Sequence, residues 1–255
     1  MLSSSTPRVA LVTGAAKRIG RAIALDLARH GWDVAVHYNG SAQDAAEVVS
    51  AIEALGRRAV AVQAELAREE EVAALLPQAE AALGPVGCLI NNASLFEEDS
   101  VLTASRESWD AHMNVNLRAP FVLIQEMARR LPENAQGAVI NLIDERVWNL
   151  TPWFTTYTLS KAGLWTLTQT LALALAPHIR VNAIGPGPAL PSKRQTQEQF
   201  DRQCADMPLR RGTSPQEICE TVRFILAASS MTGQMIALDG GQHLGWALSD
   251  TPPEE

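Results

Sequence analysis

Residues 138–161 carry the types and spacing of a proton-handling group. An apolar stretch, 138–143, ends at Asp144. Tyr157 follows, and Lys161 stands four residues beyond it in an apolar, helix-patterned run. Positions i and i+4 share one face of a helix, so the Tyr157 phenol and the Lys161 ammonium can enter the same cleft. A free phenol ionises near pH ~10 and is a poor acid or base at neutrality. A neighbouring ammonium favours phenolate, which lets Tyr157 exchange a proton with a substrate oxygen or nitrogen. The same spacing also arises with a packed tyrosine and a solvated lysine, so the surrounding elements must decide.

Those elements alternate. Residues 9–13, 33–37, 59–63, 87–90, 138–143, 179–184 and 234–238 read as strands. Segments 19–30, 42–55, 69–83, 107–131, the run containing Tyr157 and 215–227 read as helices, and Gly56 and Gly84-Pro85 stop two of them. Mostly apolar strands separated by long helices indicate a parallel sheet covered on both faces. The expectation is one doubly wound α/β domain over 1–255, a Rossmann fold with its core at 8–241, no repeats and no internal linker. Such sheets bind ligands beyond the carboxyl ends of their strands, where the chemically distinctive residues fall.

The chain has 255 residues, is 47% apolar and carries a formal charge of −7. That balance argues against nucleic acid as a partner, while an anionic small molecule needs only local positive potential. Cys88, Cys204 and Cys219 form no metal-binding spacing and point to a reducing, cytoplasmic setting. No run reaches the roughly 18 apolar residues of a membrane span, and MLSSSTPR leads straight into a strand without the pattern of a secretion signal.

The first strand runs into Thr13-Gly14-Ala15-Ala16-Lys17-Arg18-Ile19-Gly20. Gly14 and Gly20 permit a tight turn and close backbone approach, and the helix that begins there presents free N–H groups and a positive dipole end to a pyrophosphate. The second strand ends His37-Tyr38-Asn39-Gly40-Ser41, without the acid that bonds an unphosphorylated adenine ribose. Arg18 can reach a 2′-phosphate, with His37, Asn39 and Ser41 as further donors. This favours NADPH, although Arg18 in a surface ion pair fits the same residues. Glu65, followed by Leu66, can accept from an adenine amino group or stand as a solvated loop acid. Asn92, Ala93 and Ser94 end the fourth strand. Asn116 lies within a helix, where asparagine is a poor former, which suggests a specific bond or a held water. Gly185-Pro186-Gly187 can shape backbone around a nicotinamide amide.

Together these positions resemble the short-chain dehydrogenase/reductase family over residues 8–241. The glycine motif falls on Thr13–Gly20, the NNAG-type motif on Asn91–Ser94, the YxxxK pair on Tyr157 and Lys161, and a terminal DGG on Asp239–Gly241. The resemblance implies that Tyr157 donates the proton, Lys161 binds the nicotinamide ribose, and Asn116 supports a proton-relay water. It also implies a homotetramer built through the helices containing Asn116 and Lys161. Three departures are informative: Asp144 replaces the usual serine, Arg18 a glycine, and Ser94 the glycine of NNAG. All three resemble the pteridine reductase branch, which includes bacterial dihydrofolate and dihydromonapterin reductases. There TGxxKRxG matches Thr13–Gly20 and NNASxF matches Asn91–Phe96.

Reduction of a ring C=N needs hydride on carbon and a proton on nitrogen, and Asp144 beside Tyr157 offers a carboxyl–phenol relay for the proton. The carboxylate would oppose Lys161 by raising the phenol pKa, unless a shared proton or a water lies between them. Phe96 can stack on a flat pterin or pack internally; Arg18 and Ser94 can contact both cofactor phosphate and pterin. The alternative is a general carbonyl reductase in which Asp144 stands in for serine. Trp148, Trp153 and Phe154 suit a substrate wall or a subunit interface, and Glu145-Arg146 an ion pair. Residues 188–208 suggest a substrate lid, Trp246 a packed or interfacial side chain, and 251–255 a flexible tail.

Overall fold

The computed structural model describes residues 5–245. Seven parallel strands form one sheet in the order β3-β2-β1-β4-β5-β6-β7: β1 (Val9–Val12), β2 (Asp33–Tyr38), β3 (Ala59–Gln63), β4 (Cys88–Asn91), β5 (Gly137–Leu142), β6 (Ile179–Pro186) and β7 (Met235–Leu238). The order reverses between β1 and β4, which opens a crevice at their carboxyl ends. Alternate residues of β1 feed opposite cores. Ala10 and Val12 pack with α1 (Arg18–Arg29), α2 (Ala42–Ala54) and α8 (Pro215–Ala227), whereas Val9 and Leu11 pack with α3 (Glu69–Leu83) and α5 (Ala119–Arg130). Burial on both faces explains why this strand reads as an unbroken apolar run.

Element boundaries lie within a residue or two of those expected, except that β6 continues through Gly185 and Pro186, which pair with Ala237 and Leu238. The helix expected over 107–131 is not uniform. It comprises α4 (Arg106–Met113), a π-helical turn (Asn114–Arg118) and α5, and the Ala119 N–H bonds the Asn114 carbonyl five residues back. Pro120 has no N–H to give the carbonyl of Asn116 four residues earlier, so the regular ladder slips where Asn116 sits. The 188–208 segment is not wholly irregular, since α7 (Gln197–Asp206) forms within it behind a Thr196/Gln199 capping box. Trp246 and the tail 251–255 lie outside the described residues.

Candidate active site

The carboxyl ends of β1, β4, β5 and β6, together with α6 (Thr155–Ala174) and the 188–208 segment, surround a cleft of about 280 Å³. Arg18, Ser94, Phe96, Asp144, Tyr157 and Lys161 all line it. Tyr157 donates to Asp144 Oδ2 at 2.7 Å. This direct bond replaces the expected alternative of a bridging water. Asp144 Oδ1 accepts from the Arg146 backbone N–H at 2.9 Å, which fixes the carboxylate at the head of a short 3-10 turn, Glu145–Val147. Lys161 is buried and donates to the Leu142 carbonyl at 2.8 Å. Burial pushes its ammonium down to about 8, against the Asp144 carboxylate, which pulls the other way.

The glycine turn is held by a small set of bonds. Thr13 Oγ1 accepts from the backbone N–H groups of Asn92 (2.9 Å) and Ala93 (3.0 Å). Asn92 Nδ2 donates back to the Thr13 carbonyl at 2.8 Å. Gly14 has φ +62°, and a Cβ on Gly20 would meet the Gly14 carbonyl oxygen at 2.2 Å. Helix α1 has no acidic residue in its first turn and no side-chain cap at Lys17. Its N–H groups and dipole are therefore open to an anion, and the cradle fits a dinucleotide pyrophosphate.

Arg18 adopts φ +52°, a region that disfavours side chains other than glycine. Its Nη2 reaches the Leu190 carbonyl of the 188–208 segment at 3.4 Å. Lys17 pairs with Asp44 of α2 at 3.0 Å. Asn39 donates to Glu65 Oε2 at 2.6 Å, while Ser41 heads α2 without using its hydroxyl as a cap. Tyr38 is partly exposed, Leu66 buried, and Pro186 and Gly187 line the cleft. A Cβ on Gly187 would lie 2.8 Å from Asp239 Cα, so only glycine fits there.

One expected role is corrected. His37 is not a donor at the cofactor's outer phosphate. Its ring is 2% exposed. Nδ1 accepts from the Gly14 N–H at 3.0 Å, which leaves the proton on Nε2 for the Ala64 carbonyl at 3.1 Å. Burial lowers its pKa against that carbonyl and Glu65, so a neutral His37 braces the glycine turn. For Asn116, the specific bond that was one of the two sequence-based alternatives is observed. Oδ1 accepts from the Leu95 N–H (2.8 Å), and Nδ2 donates to the Leu95 carbonyl (2.9 Å) and Ser160 Oγ (3.0 Å). Asn116 clamps the loop that carries Ser94 and Phe96 onto α6.

Phe96 stacks on Phe154, with centroids 4.6 Å apart and planes within 5°, and meets the Tyr157 ring edge-on at 4.7 Å. Phe154 is therefore a cleft support, held at φ +57° at the head of α6. Trp148 packs instead against Trp165 and His243. Arg146 lies 4.9 Å over Phe154 and 5.7 Å from Phe96. Arg194, from the 188–208 segment, donates to the Phe96 carbonyl at 2.9 Å and pairs with Glu97. Sequence reasoning gave neither arginine a role against the aromatic pair, since Phe96 is distant in the chain from both. Arg194 and Arg18 tie the 188–208 segment to both sides of the cleft, an arrangement suited to a lid.

No His/Cys/Asp/Glu cluster capable of holding a metal occurs among the described residues, and none of their helices is long and apolar enough to cross a membrane. A family model described as enoyl-(acyl carrier protein) reductase matches residues 14–243. FolM alternative dihydrofolate reductase 1 from Brucella suis, solved with NADP, is 49% identical with a TM-score of 0.92, covering 97% of this chain and 100% of that one. A short-chain dehydrogenase from Burkholderia cenocepacia, also solved with NADP, is 34% identical with a TM-score of 0.86, covering 93% and 99%. The 3-oxoacyl-[acyl-carrier-protein] reductase FabG of Staphylococcus epidermidis is 35% identical over 92% of this chain and 98% of its own.

Proposed function

The chain belongs to the short-chain dehydrogenase/reductase family, and we propose that within it this protein reduces a pterin or dihydrofolate-type ring with NADPH. The observation that carries this choice is the 2.7 Å bond from Tyr157 to Asp144, where the family ordinarily has a serine. A carboxyl–phenol pair can deliver a proton to a ring nitrogen. The Phe96–Phe154 stack beside it suits a flat heterocycle. The 49% identity to the Brucella suis dihydrofolate reductase supports the same substrate class.

NADPH, when bound, supplies the hydride. Gly14, Gly20 and the head of α1 would hold its pyrophosphate, and Arg18 its 2′-phosphate; Lys161 would take the ribose and Gly187 would leave room for the nicotinamide end. The solved neighbours in complex with NADP support this cofactor. Tyr157, its hydroxyl oriented by Asp144, would pass its proton to the ring nitrogen, and the buried Lys161 ammonium favours the phenolate left behind until solvent returns a proton. Arg18, Ser94 and Phe96 would contact the pterin edge and face. The apolar groove of Met113, Leu117, Phe121 and Leu167 between α4–α5 and α6 supports a homotetramer, which light scattering would test. A cytoplasmic location accords with the cofactor.

The second reading is a carbonyl reductase, favoured by the 35% identity to FabG and by Asp144 Oδ1 capping a turn as a serine can. NADPH oxidation at 340 nm against dihydrobiopterin, dihydromonapterin, dihydrofolate, simple ketones and a 3-oxoacyl thioester separates them. Turnover confined to the pterins and folate supports the proposal; activity on ketones or the thioester alone overturns it.

A further inference from the structure

Buried beside the cleft is a polar cluster that the chemistry above does not use. His112 of α4 is fully buried, and Asp99 is 5% exposed. His112 Nδ1 faces the Ser108 carbonyl at 3.0 Å and Thr156 Oγ1 at 2.7 Å. A carbonyl can only accept, so Nδ1 carries the proton. Nε2 is then a bare acceptor, and it takes the backbone N–H of Glu97 at 3.2 Å. Thr156 in turn donates its hydroxyl to Asp99 Oδ2 and its backbone N–H to Asp99 Oδ1 at 3.0 Å. The Asp99 carbonyl accepts from the Phe154 N–H at 2.8 Å.

Every strand of this cluster ends on the aromatic wall. Glu97 follows Phe96 directly, Phe154 is the platform beneath it, and Tyr157 follows Thr156. We propose that neutral His112 is a positioning residue for the substrate: through Glu97 N–H it holds Phe96 on Phe154, so that the imidazole acceptor, beyond the Asn116 clamp on Leu95 and the Arg194 bond to the Phe96 carbonyl, sets the ring face presented to a bound heterocycle. Without that acceptor the Glu97 N–H is left unpaired and the loop shifts to find water. Both aromatic contacts of Phe96 are then loosened, while the Asp144–Tyr157–Lys161 group, fixed by its own bonds, stays in place. The signature is therefore a loss of substrate affinity with chemistry retained. The inference rests on Phe96 as the pterin platform.

Two variants divide the imidazole's duties. His112→Asn keeps a donor at the δ position and deletes the ε acceptor; His112→Gln places an amide oxygen where Nε2 accepts. The expected result is a dihydropterin KM about tenfold higher in His112→Asn, an energy of about 1.4 kcal/mol. Its kcat and NADPH affinity should stay within about twofold of wild type, and His112→Gln should restore KM. The wild-type protein offers a check that needs no variant to fold. Burial holds His112 below the usual imidazole range, against the carboxylates of Asp99 and Glu97, the charged groups that face it from the 95–104 loop; α4 contributes the Ser108 carbonyl, and α6 the Thr156 hydroxyl and Tyr157 ring. Acidification that protonates Nε2 should raise the pterin KM in wild type and leave His112→Gln flat. An unchanged KM in His112→Asn, equal loss of kcat and KM in both variants, or identical acid profiles would overturn the inference alone. A wild-type protein inactive on pterins would overturn the substrate assignment as well.

Discussion

Replacing Arg18 by glycine should raise stability and lower cofactor affinity, two effects of opposite sign from one side chain. At φ +52° a non-glycine L-residue carries a conformational penalty of roughly 1–2 kcal/mol. Glycine removes it but gives the unfolded chain more freedom, a cost of about 0.4–1 kcal/mol. The guanidinium's bond to the Leu190 carbonyl, at 3.4 Å and exposed, contributes little against that. The net gain is on the order of 0.5–1 kcal/mol, or about 1–4 °C in melting temperature for a chain of this size. A guanidinium–phosphate contact is worth about 1.5–3 kcal/mol, so NADPH should bind roughly 10–100-fold more weakly while NADH is little affected. Arg18→Ala, which keeps the strained backbone and loses the guanidinium, should share the affinity loss without the stability gain. The assay pairs thermal melts of cofactor-free protein with fluorescence titrations of both nucleotides. An Arg18→Gly protein that melts below wild type would refute the strain argument, and an unchanged NADPH/NADH preference would refute the phosphate contact.

Asp144→Asn should cut kcat/KM on the pterin by about 10–100-fold, since a hydrogen bond to a charged acceptor is worth ~1.5–3 kcal/mol, with NADPH affinity retained; steady-state kinetics with activity within twofold of wild type would count against the relay. Lys161, depressed by burial from 10.5 to about 8, binds fewer protons folded than unfolded between those values. Stability should therefore rise as pH climbs from about 8 to about 10.5 and be lost as it falls back to 8, by at most about 3.4 kcal/mol at 1.36 kcal/mol per pH unit. Denaturant titrations of wild type and Lys161→Met across that window test this, the variant losing the slope. Turnover should decline over the same range, as the ammonium that favours phenolate disappears. Gly20→Ala, whose Cβ would meet the Gly14 carbonyl oxygen at 2.2 Å, should weaken NADPH binding at least tenfold by titration and cost about 1–3 kcal/mol. Asn116→Ala leaves the Leu95 N–H and carbonyl and Ser160 without their amide, and should lower the melting temperature by roughly 4–12 °C at ~2–4 °C per kcal/mol.

Strand and helix order were legible in the chain because apolar runs and glycine stops are local signals. So were Asp144, Tyr157, Lys161 and the glycine turn, because a parallel sheet delivers the ends of its strands to one edge whatever the details of packing. The break within 107–131 was present as Pro120 but masked by a continuous helical pattern. His37 looked like a ligand donor by type, and no sequence pattern reveals that both its nitrogens are consumed by backbone partners, or that the Asn116 amide bonds the Leu95 backbone and the Ser160 hydroxyl. Those bonds join residues far apart, Gly14 to His37 and Leu95 to Asn116. The Phe96–Phe154 stack, Arg194 against Glu97 and the His112 acceptor are likewise decided by which surfaces the folded sheet brings together. Residue type sets what a side chain can donate or accept. Only the tertiary structure settles which of those capacities are already satisfied and which remain for a ligand.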